Sequence, residues 1–142
     1  MQITKLEVAL HQLNVAIRLF LEGDYLSSLT LAGAAEEILG RLSERAGTAI
    51  AIEYIIDFYY PDTDTTLTEK ERRKVICDLL NKGRNQVKHA NDPNETHFDV
   101  EQIWPLQMIM RAMPMAKNLG AQPKEEIRML SWIRTHHPEA FR

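Results

Sequence analysis

Cysteine is nearly absent from this chain, because Cys77 is the single cysteine among 142 residues. One cysteine excludes an intramolecular disulfide and any zinc site that is built from several thiolates. Cysteine this sparse and unpaired fits a reducing compartment, so the sequence predicts a cytoplasmic protein. No pattern of neighbouring residues supports a nucleophilic role for Cys77 itself.

Long apolar runs and metal-ligand spacings are also missing. No stretch approaches the roughly 20 apolar residues that a membrane span needs. Residues 1 to 5 lead straight into an amphipathic pattern and not into a signal peptide, so we expect no membrane partner. The paired Glu-x-x-His motifs of di-iron bundles are absent, and the adjacent His136 and His137 lie in a predicted tail without a third ligand. We therefore expect no metal or other cofactor, and we interpret the two histidines as solvated.

The residues that are present suit one globular domain with a real core. The chain is 44% hydrophobic and 26% charged, which is ordinary for such a domain. Its net charge of −3 argues against a surface coated for nucleic acid. The charge is uneven, however: residues 69 to 89 hold seven Lys and Arg against three Asp and Glu, which gives +4 and leaves −7 elsewhere. A positive strip of this kind can attract a polyanion locally, although charged helix faces are more often simply solvated.

Apolar periodicity predicts helices over most of the chain. Asp24 is a candidate N-cap, Thr68 and Glu71 form a capping box, and Gly120 is a candidate C-terminal stop. Residues 49 to 60 have the β-branched and aromatic content of a strand, but no second strand exists to pair with them, so we predict a helix. The predicted helices cover about residues 3–22, 25–46, 49–60, 68–90, 98–119 and 123–134. The sequence thus predicts an all-α, up-and-down bundle of four core helices with one or two additional helices, in a single domain of residues 1–142.

The second helix is predicted to be central because it is apolar nearly all round. The small residues at positions 32 to 35 would let another helix approach closely. Glu36 interrupts this surface, and a carboxylate there must be ion-paired, hydrogen-bonded or set in a cleft. A structural ion pair with an arginine of a facing helix and a role in substrate binding are equally compatible with the sequence.

The most informative stretch is residues 84 to 89, near the end of the helix predicted over 68–90. On a continuous helix with about 100° per residue, Arg84, Lys88, Asn81, Asn85 and His89 share one polar arc of roughly 140°. The apolar residues of the segment occupy the opposite side, so we expect the arc to face solvent. An ordinary solvated face is one interpretation. A phosphate-handling site is the other, because arginine binds phosphate oxygens and histidine exchanges protons near neutral pH.

Two segments of the sequence resemble the HEPN superfamily of helical-bundle proteins. Arg84, the polar Asn85 and His89 have the form Arg, polar residue, three residues, His, late in the bundle. Residues 29 to 40 are similar to the second-helix segment of many prokaryotic HEPN-like proteins, with an acidic residue at Glu36 or Glu37. The resemblance spans roughly residues 5 to 119, and residues 121–142 lie outside it.

Many members of that superfamily are metal-independent endoribonucleases, and the resemblance implies such an activity and a symmetric dimer. It implies that Arg84 and His89 are catalytic and that Asn85 assists, while RNA is cleaved by attack of the ribose 2′-hydroxyl on the adjacent phosphate. His89 would move the protons and Arg84 would stabilise phosphoryl charge. Lys88, Asn81 and Glu36 are candidate substrate-binding residues. The expected partners are RNA, a second copy of the chain and a cognate antitoxin, if the protein belongs to a toxin–antitoxin pair or a defence system.

A non-catalytic interaction or nucleotide-binding module is the alternative function. Some relatives of that superfamily lack nuclease activity, and the acidic net charge suits such a role. Four methionines between residues 108 and 115 would also suit an adaptable binding surface, although methionine at helical spacing is more often core. A metal enzyme in the bundle core is a third and weaker hypothesis.

Overall fold

The computed structural model describes residues 1–141, and these residues form an all-α bundle with no strand among them. The fold class that the sequence predicts is thereby confirmed. Two short 3-10 turns, Tyr60–Asp62 and Pro138–Phe141, follow the third and the last helix. The helices are α1 (Lys5–Leu21), α2 (Tyr25–Ala46), α3 (Ala51–Tyr59), α4 (Glu69–Leu80), α5 (Lys82–Lys88), α6 (Ile103–Asn118) and α7 (Glu126–His136).

Local signals in the sequence fix several helix ends. Asp24 accepts a hydrogen bond from the Ser27 amide and caps α2, and the capping box of Thr68 and Glu71 opens α4, both as predicted. A second capping box, formed by Thr4 and Glu7, starts α1. The helices α2 and α6 end close to Gly47 and Gly120, whose φ angles of 70° and 85° are left-handed and favour glycine.

The core lies between α1, α2 and α6, with α7 closing one side. The helix α2 packs along both α1 and α6, which confirms that it is central. Three of the four methionines of α6 are buried, and only Met110 is substantially exposed, so this segment is mainly core. The largest fully buried side chains are Leu13, Ile17, Phe20, Leu29, Leu39, Ile56, Met108, Ile109, Met115, Met129 and Ile133.

The single helix predicted over 68–90 is wrong in one respect that matters for the site. The helix is interrupted at Asn81, whose φ and ψ angles of −101° and 4° are not helical, so that α4 and α5 are separate. The side of the segment that packs on the core also differs from the prediction. Val75 and Leu79, which belong to the apolar side expected to face the core, are 52% and 66% exposed, whereas the Arg84 side chain is only 17% exposed.

The last part of the chain also differs from the predicted helices. The sequence predicts a helix from about residue 98 with Asp99 near its start, but residues 98 to 102 precede α6. The sequence also predicts that Pro114 kinks or divides this helix, but Pro114 lies inside α6 without dividing it. The last helix begins at Glu126, three residues after Pro123. The sequence predicts that His136 and His137 lie in a solvated tail. This prediction is wrong for His136, which is the last residue of α7 and stacks on Trp132 with ring centroids 4.2 Å apart.

Candidate functional site

A buried carboxylate is the centre of the candidate site. Glu36 is only 4% exposed and lies on the central helix α2. One of its oxygens accepts a hydrogen bond from Arg84 at 3.0 Å, and the other accepts one from Arg111 at 2.8 Å. The interpretation of Glu36 as part of a structural ion pair is therefore confirmed, and both of its oxygens are engaged within the chain.

Arg84 is held against α2 and does not extend into solvent. Its side chain is 17% exposed, so the predicted solvent-facing arc is wrong at this residue. Gly33 makes the inward turn possible, because a Cβ at that position would lie 2.7 Å from Arg84 Cγ. The small residues of α2 thus admit the stem of an arginine from α5.

Arg111 is the residue of this cluster that the sequence pattern did not reveal. It lies on α6 among buried apolar residues and is 5% exposed. Besides Glu36 it donates hydrogen bonds to Asn81 Oδ1 at 3.1 Å and to the Leu80 carbonyl at 3.4 Å. A charged residue in the otherwise apolar pattern of α6 was the signal that could have identified it, since a buried charge needs a partner.

The helix break places a backbone carbonyl and an amide side chain within reach of Arg111. A regular helix uses the carbonyls of residues 80 and 81 for its own hydrogen bonds, whereas the end of α4 leaves the Leu80 carbonyl free to accept one from Arg111. Asn81, a predicted substrate-binding residue, is half-buried and fixed by the same guanidinium. The interruption between α4 and α5 is therefore part of how the cluster is built.

A polar cleft of about 370 Å³ opens beside the cluster. Glu36, Asn81, Arg84 and Arg111 line it, so three of the residues predicted as site residues share one hollow. Its remaining lining residues come from α2, the start of α3 and the residue before it: Glu37, Gly40, Arg41, Glu44, Ile50, Ile52 and Glu53.

The other predicted site residues lie on α5 outside this cleft. Asn85, Lys88 and His89 are exposed, and His89 is the residue at which α5 ends. Lys88 Nζ lies 3.4 Å from a carboxylate oxygen of Glu37, an exposed ion pair. Within one copy of the chain the structure does not bring His89 to the cleft that Arg84 lines.

The charged groups around the cleft balance. Glu37, Glu44 and Glu53 each have one cationic partner, Lys88, Arg41 and Arg73, respectively. Arg73 also lies 3.9 Å from Asp57, whereas Glu36 faces two guanidinium groups. Within the part of the chain that the structure describes, these five carboxylates and five cationic groups leave no net charge.

Cys77 is half-buried on α4. Desolvation by burial raises the pKa of the Cys77 thiol, and the nearby Arg73 offsets part of that effect. A raised pKa keeps the thiol protonated near neutral pH, which does not suit a nucleophile. Within residues 1–141, no group of three or more His, Cys, Asp or Glu side chains is arranged to hold a metal ion.

A second feature is an open apolar groove along the outer side of α6. Its largest hollow has a volume of about 650 Å³ and lies between α3 and α6. A second hollow, beside α4, shares Tyr59, Leu80 and Gln107 with the first, so the two are continuous. The wall formed by α3 exposes Tyr54 and Phe58 by 68% and 74%, and Ile56 is the only buried residue of that helix.

The comparisons with known proteins give no match to this chain: no protein-family model, no curated protein and no solved structure is similar to it. None of the helices formed by residues 1–141 combines the length and the apolar character needed to cross a membrane.

Proposed function

We propose that this protein is a HEPN-type endoribonuclease that acts as a homodimer and cleaves RNA by attack of a ribose 2′-hydroxyl on the adjacent phosphate. The observation that carries the proposal is the position of Arg84. Its guanidinium lines an open polar cleft, while the same short helix ends in the exposed imidazole of His89. The guanidinium and the imidazole that the reaction requires thus belong to α5 and to the residue at which it ends.

The ion pair with Glu36 gives Arg84 a defined role in this mechanism. A guanidinium that is already fixed needs no reorganisation when negative charge develops on phosphoryl oxygens, and such preorganised charge is an effective form of catalysis. His89, which is exposed, exchanges a proton with the 2′-hydroxyl or with the leaving 5′-oxygen. Asn85 and Lys88 lie on the exposed side of α5 and contact the strand on either side of the scissile phosphate.

A second copy of the chain completes the proposed site. His89 does not line the cleft of its own chain, so a twofold axis beside α5 brings the imidazole of one copy toward the Arg84 cleft of the other. Twofold symmetry is the commonest arrangement of soluble oligomers. The proposal therefore includes dependence of activity on dimerisation.

RNA cleavage by purified protein tests the proposal. Labelled RNA is incubated with the wild type, with His89→Ala and with the control His97→Ala, an exposed histidine of the loop before α6. We expect His89→Ala to reduce the cleavage rate by about 10²-fold or more, the usual contribution of a general acid or base. His97→Ala retains the rate, and the products carry cyclic phosphate ends. Equal cleavage by all three proteins excludes His89 from the reaction.

The apolar groove favours a second candidate function, a non-catalytic module that binds an apolar segment of a partner protein. Exposed aromatic residues on one wall of a groove are typical of protein interfaces. If this is the main function, Phe58→Ser abolishes co-purification of one stoichiometric partner. The control Ile127→Ser, at an apolar residue of α7 that is 79% exposed, does not. Neither protein turns over RNA. A retained partner in the Phe58→Ser variant would exclude the groove as the binding surface.

The resemblance also leads us to propose a cognate antitoxin, and inhibition of the RNA cleavage by a protein encoded beside this chain would support it. The cytoplasmic location is proposed from the sparse cysteine, and fractionation of cells that express the tagged chain tests it.

A further inference from the structure

The outer side of α6 carries one continuous apolar face, which consists of the two hollows of the groove and the exposed side chains beside them. The hollows lie between α3 and α6 and beside α4, with volumes of about 650 and 430 Å³. Tyr54, Phe58 and Tyr59 on the α3 wall are between 47% and 74% exposed. Val75 and Leu79 of α4 are also more than half exposed. Monomeric proteins rarely leave an apolar patch of several hundred Å² in contact with water, so we expect a partner to cover this face.

We infer that this apolar face is the contact surface between two copies of the chain, related by a twofold axis. The proposed function needs a second copy and leaves open which surface holds the two copies together. The inference rests on that function only for the statement that the same dimer carries the composite RNA site. The interface itself follows from the area, the shape and the charge of the face.

The area of the face matches one side of a stable interface. Covering an aromatic side chain removes roughly 150–250 Å² from water, so the exposed fractions of the three aromatic residues of α3 supply roughly 300–450 Å² per copy. Val75, Leu79 and Met110, which are about half exposed, add roughly 100–200 Å². A standard interface buries about 800 Å² on each partner, and somewhat more than half of that area is apolar. The face therefore has the apolar area that a stable dimer requires, whereas a short loop of another protein would cover only part of it.

The face has the shape that a twofold contact needs. In such a contact the same patch meets itself, so the patch must present both a projection and a hollow that receives it. Tyr54 and Phe58 lie one turn apart on α3 and project into solvent from the wall of the larger hollow. Met110 and Pro114 of α6 line the same hollow. A twofold axis along the groove places the aromatic residues of each copy in the hollow of the other.

The lining of the hollows favours a second copy over a nucleic acid or a charged peptide. Within the part of the chain that the structure describes, Arg111 and Asp62 are the only charged residues that line them, and Arg111 is already paired with Glu36. Nucleic-acid interfaces are rich in positive charge, whereas homodimer interfaces are apolar and depleted of charged residues.

The face also borders the helix that the composite site needs. Trp104 lines the smaller hollow and packs on α5, since a Cβ at Gly83 would lie 2.8 Å from its indole ring. A twofold axis at this end of the face lies beside α5, as the proposed function requires.

Sedimentation of the full chain tests the interface without RNA. The wild type is compared with Phe58→Ser, Leu79→Ser and the control Ile127→Ser, whose side chain is 79% exposed on α7 and lines neither hollow. Since all three side chains are largely in water in the single chain, the variants retain the fold, which circular dichroism checks. We expect the dimer dissociation constant to rise by about tenfold or more in Phe58→Ser and Leu79→Ser, the usual effect of removing an interface anchor, and by less than about twofold in Ile127→Ser. A monomeric wild type, or equal dissociation constants in all four proteins, would overturn the inference.

Isotope-filtered NMR identifies the occupant of the groove as a second copy. A sample that mixes isotope-labelled with unlabelled chains gives filtered nuclear Overhauser effects only between copies. We expect such effects between the Met110 methyl group of one copy and the ring protons of Tyr54 or Phe58 of the other. Effects that all arise outside the face, in a sample that sediments as a dimer, would overturn the inference.

RNA cleavage then separates the interface from the nuclease. Wild type and Phe58→Ser are compared at a concentration at which only the wild type is dimeric, and loss of cleavage in the variant supports both. Equal cleavage by the monomeric variant retains the interface and removes the shared site. A wild type that dimerises through the face and cuts no RNA retains the interface and removes the nuclease, whereas cleavage by a Phe58→Ser variant that is still fully dimeric removes the interface alone.

Discussion

Two neighbouring glutamates of α2 have very different surroundings. Glu36 is buried between two guanidinium groups, while Glu37 is about half exposed and contacts the flexible ammonium of Lys88 at 3.4 Å. Removing one partner from a buried ion pair leaves an uncompensated charge in the interior, whereas exposed pairs contribute little. The pair therefore offers a matched comparison of the same residue type in consecutive positions.

We predict that Glu36→Ala lowers the free energy of unfolding by roughly 3–5 kcal/mol, because it leaves Arg84 and Arg111 buried without a carboxylate. Glu37→Ala is expected to lower it by less than about 1 kcal/mol. Urea denaturation followed by circular dichroism measures both values. Similar losses in the two variants would show that the Glu36 cluster is not buried in solution.

The approach of one helix to another depends on a single missing side chain. In α2, Gly33 leaves the space into which the stem of Arg84 from α5 fits, whereas a Cβ at Gly40 would contact nothing within 4 Å. Glycine in the middle of a helix weakens it relative to alanine. Glycine lowers helix stability at both positions, but only at Gly33 does a neighbouring side chain occupy the space that a Cβ would need.

Gly40→Ala should therefore stabilise the protein by about 0.5–1 kcal/mol, since it removes backbone freedom from the unfolded chain at no steric cost. Gly33→Ala should destabilise it, because the new Cβ would meet Cγ of a side chain whose far end is fixed by Glu36. Thermal denaturation of the two variants measures the difference. An equal gain in both would mean that α5 is free to move away from α2.

At the scale of the whole molecule, the apolar groove and the proposed catalytic pair, whose members lie apart within one chain, are two reasons to expect contacts between chains. The helix α3 exposes two of its aromatic residues by more than two thirds, and a monomer rarely leaves an apolar patch of this kind uncovered without a functional reason. The proposed nuclease site likewise needs His89 from one copy beside the cleft of another.

We predict that the protein sediments as a dimer at micromolar concentration and that dilution below the dissociation constant lowers RNA cleavage per chain. Mixing inactive His89→Ala with inactive Arg84→Ala chains tests the composite site directly. Heterodimers then contain one site with both residues, so about a quarter of the wild-type activity returns if the subunits exchange at random. Recovery of no activity from two folded variants that exchange subunits would contradict a site shared across the twofold axis.

The sequence determined the helices because the signals for helices are local. The apolar period, the capping box at Thr68 and the glycine at position 120 act within a few residues of one another, and each predicts the element observed there. The small residues of α2 likewise indicated a close approach. For Glu36, the sequence left open a structural ion pair with an arginine of a facing helix and a role in substrate binding.

The tertiary structure alone decided what the site is made of. The interruption at Asn81 follows no strong sequence signal, yet it leaves the Leu80 carbonyl and the Asn81 side chain for Arg111, beside the inward-facing Arg84. Arg111 lies 75 residues from Glu36 along the chain, and no local pattern could join them. The period of an α-helix can be read from the spacing of residues, whereas a buried charge is matched by whatever partner the packing of distant helices brings within reach.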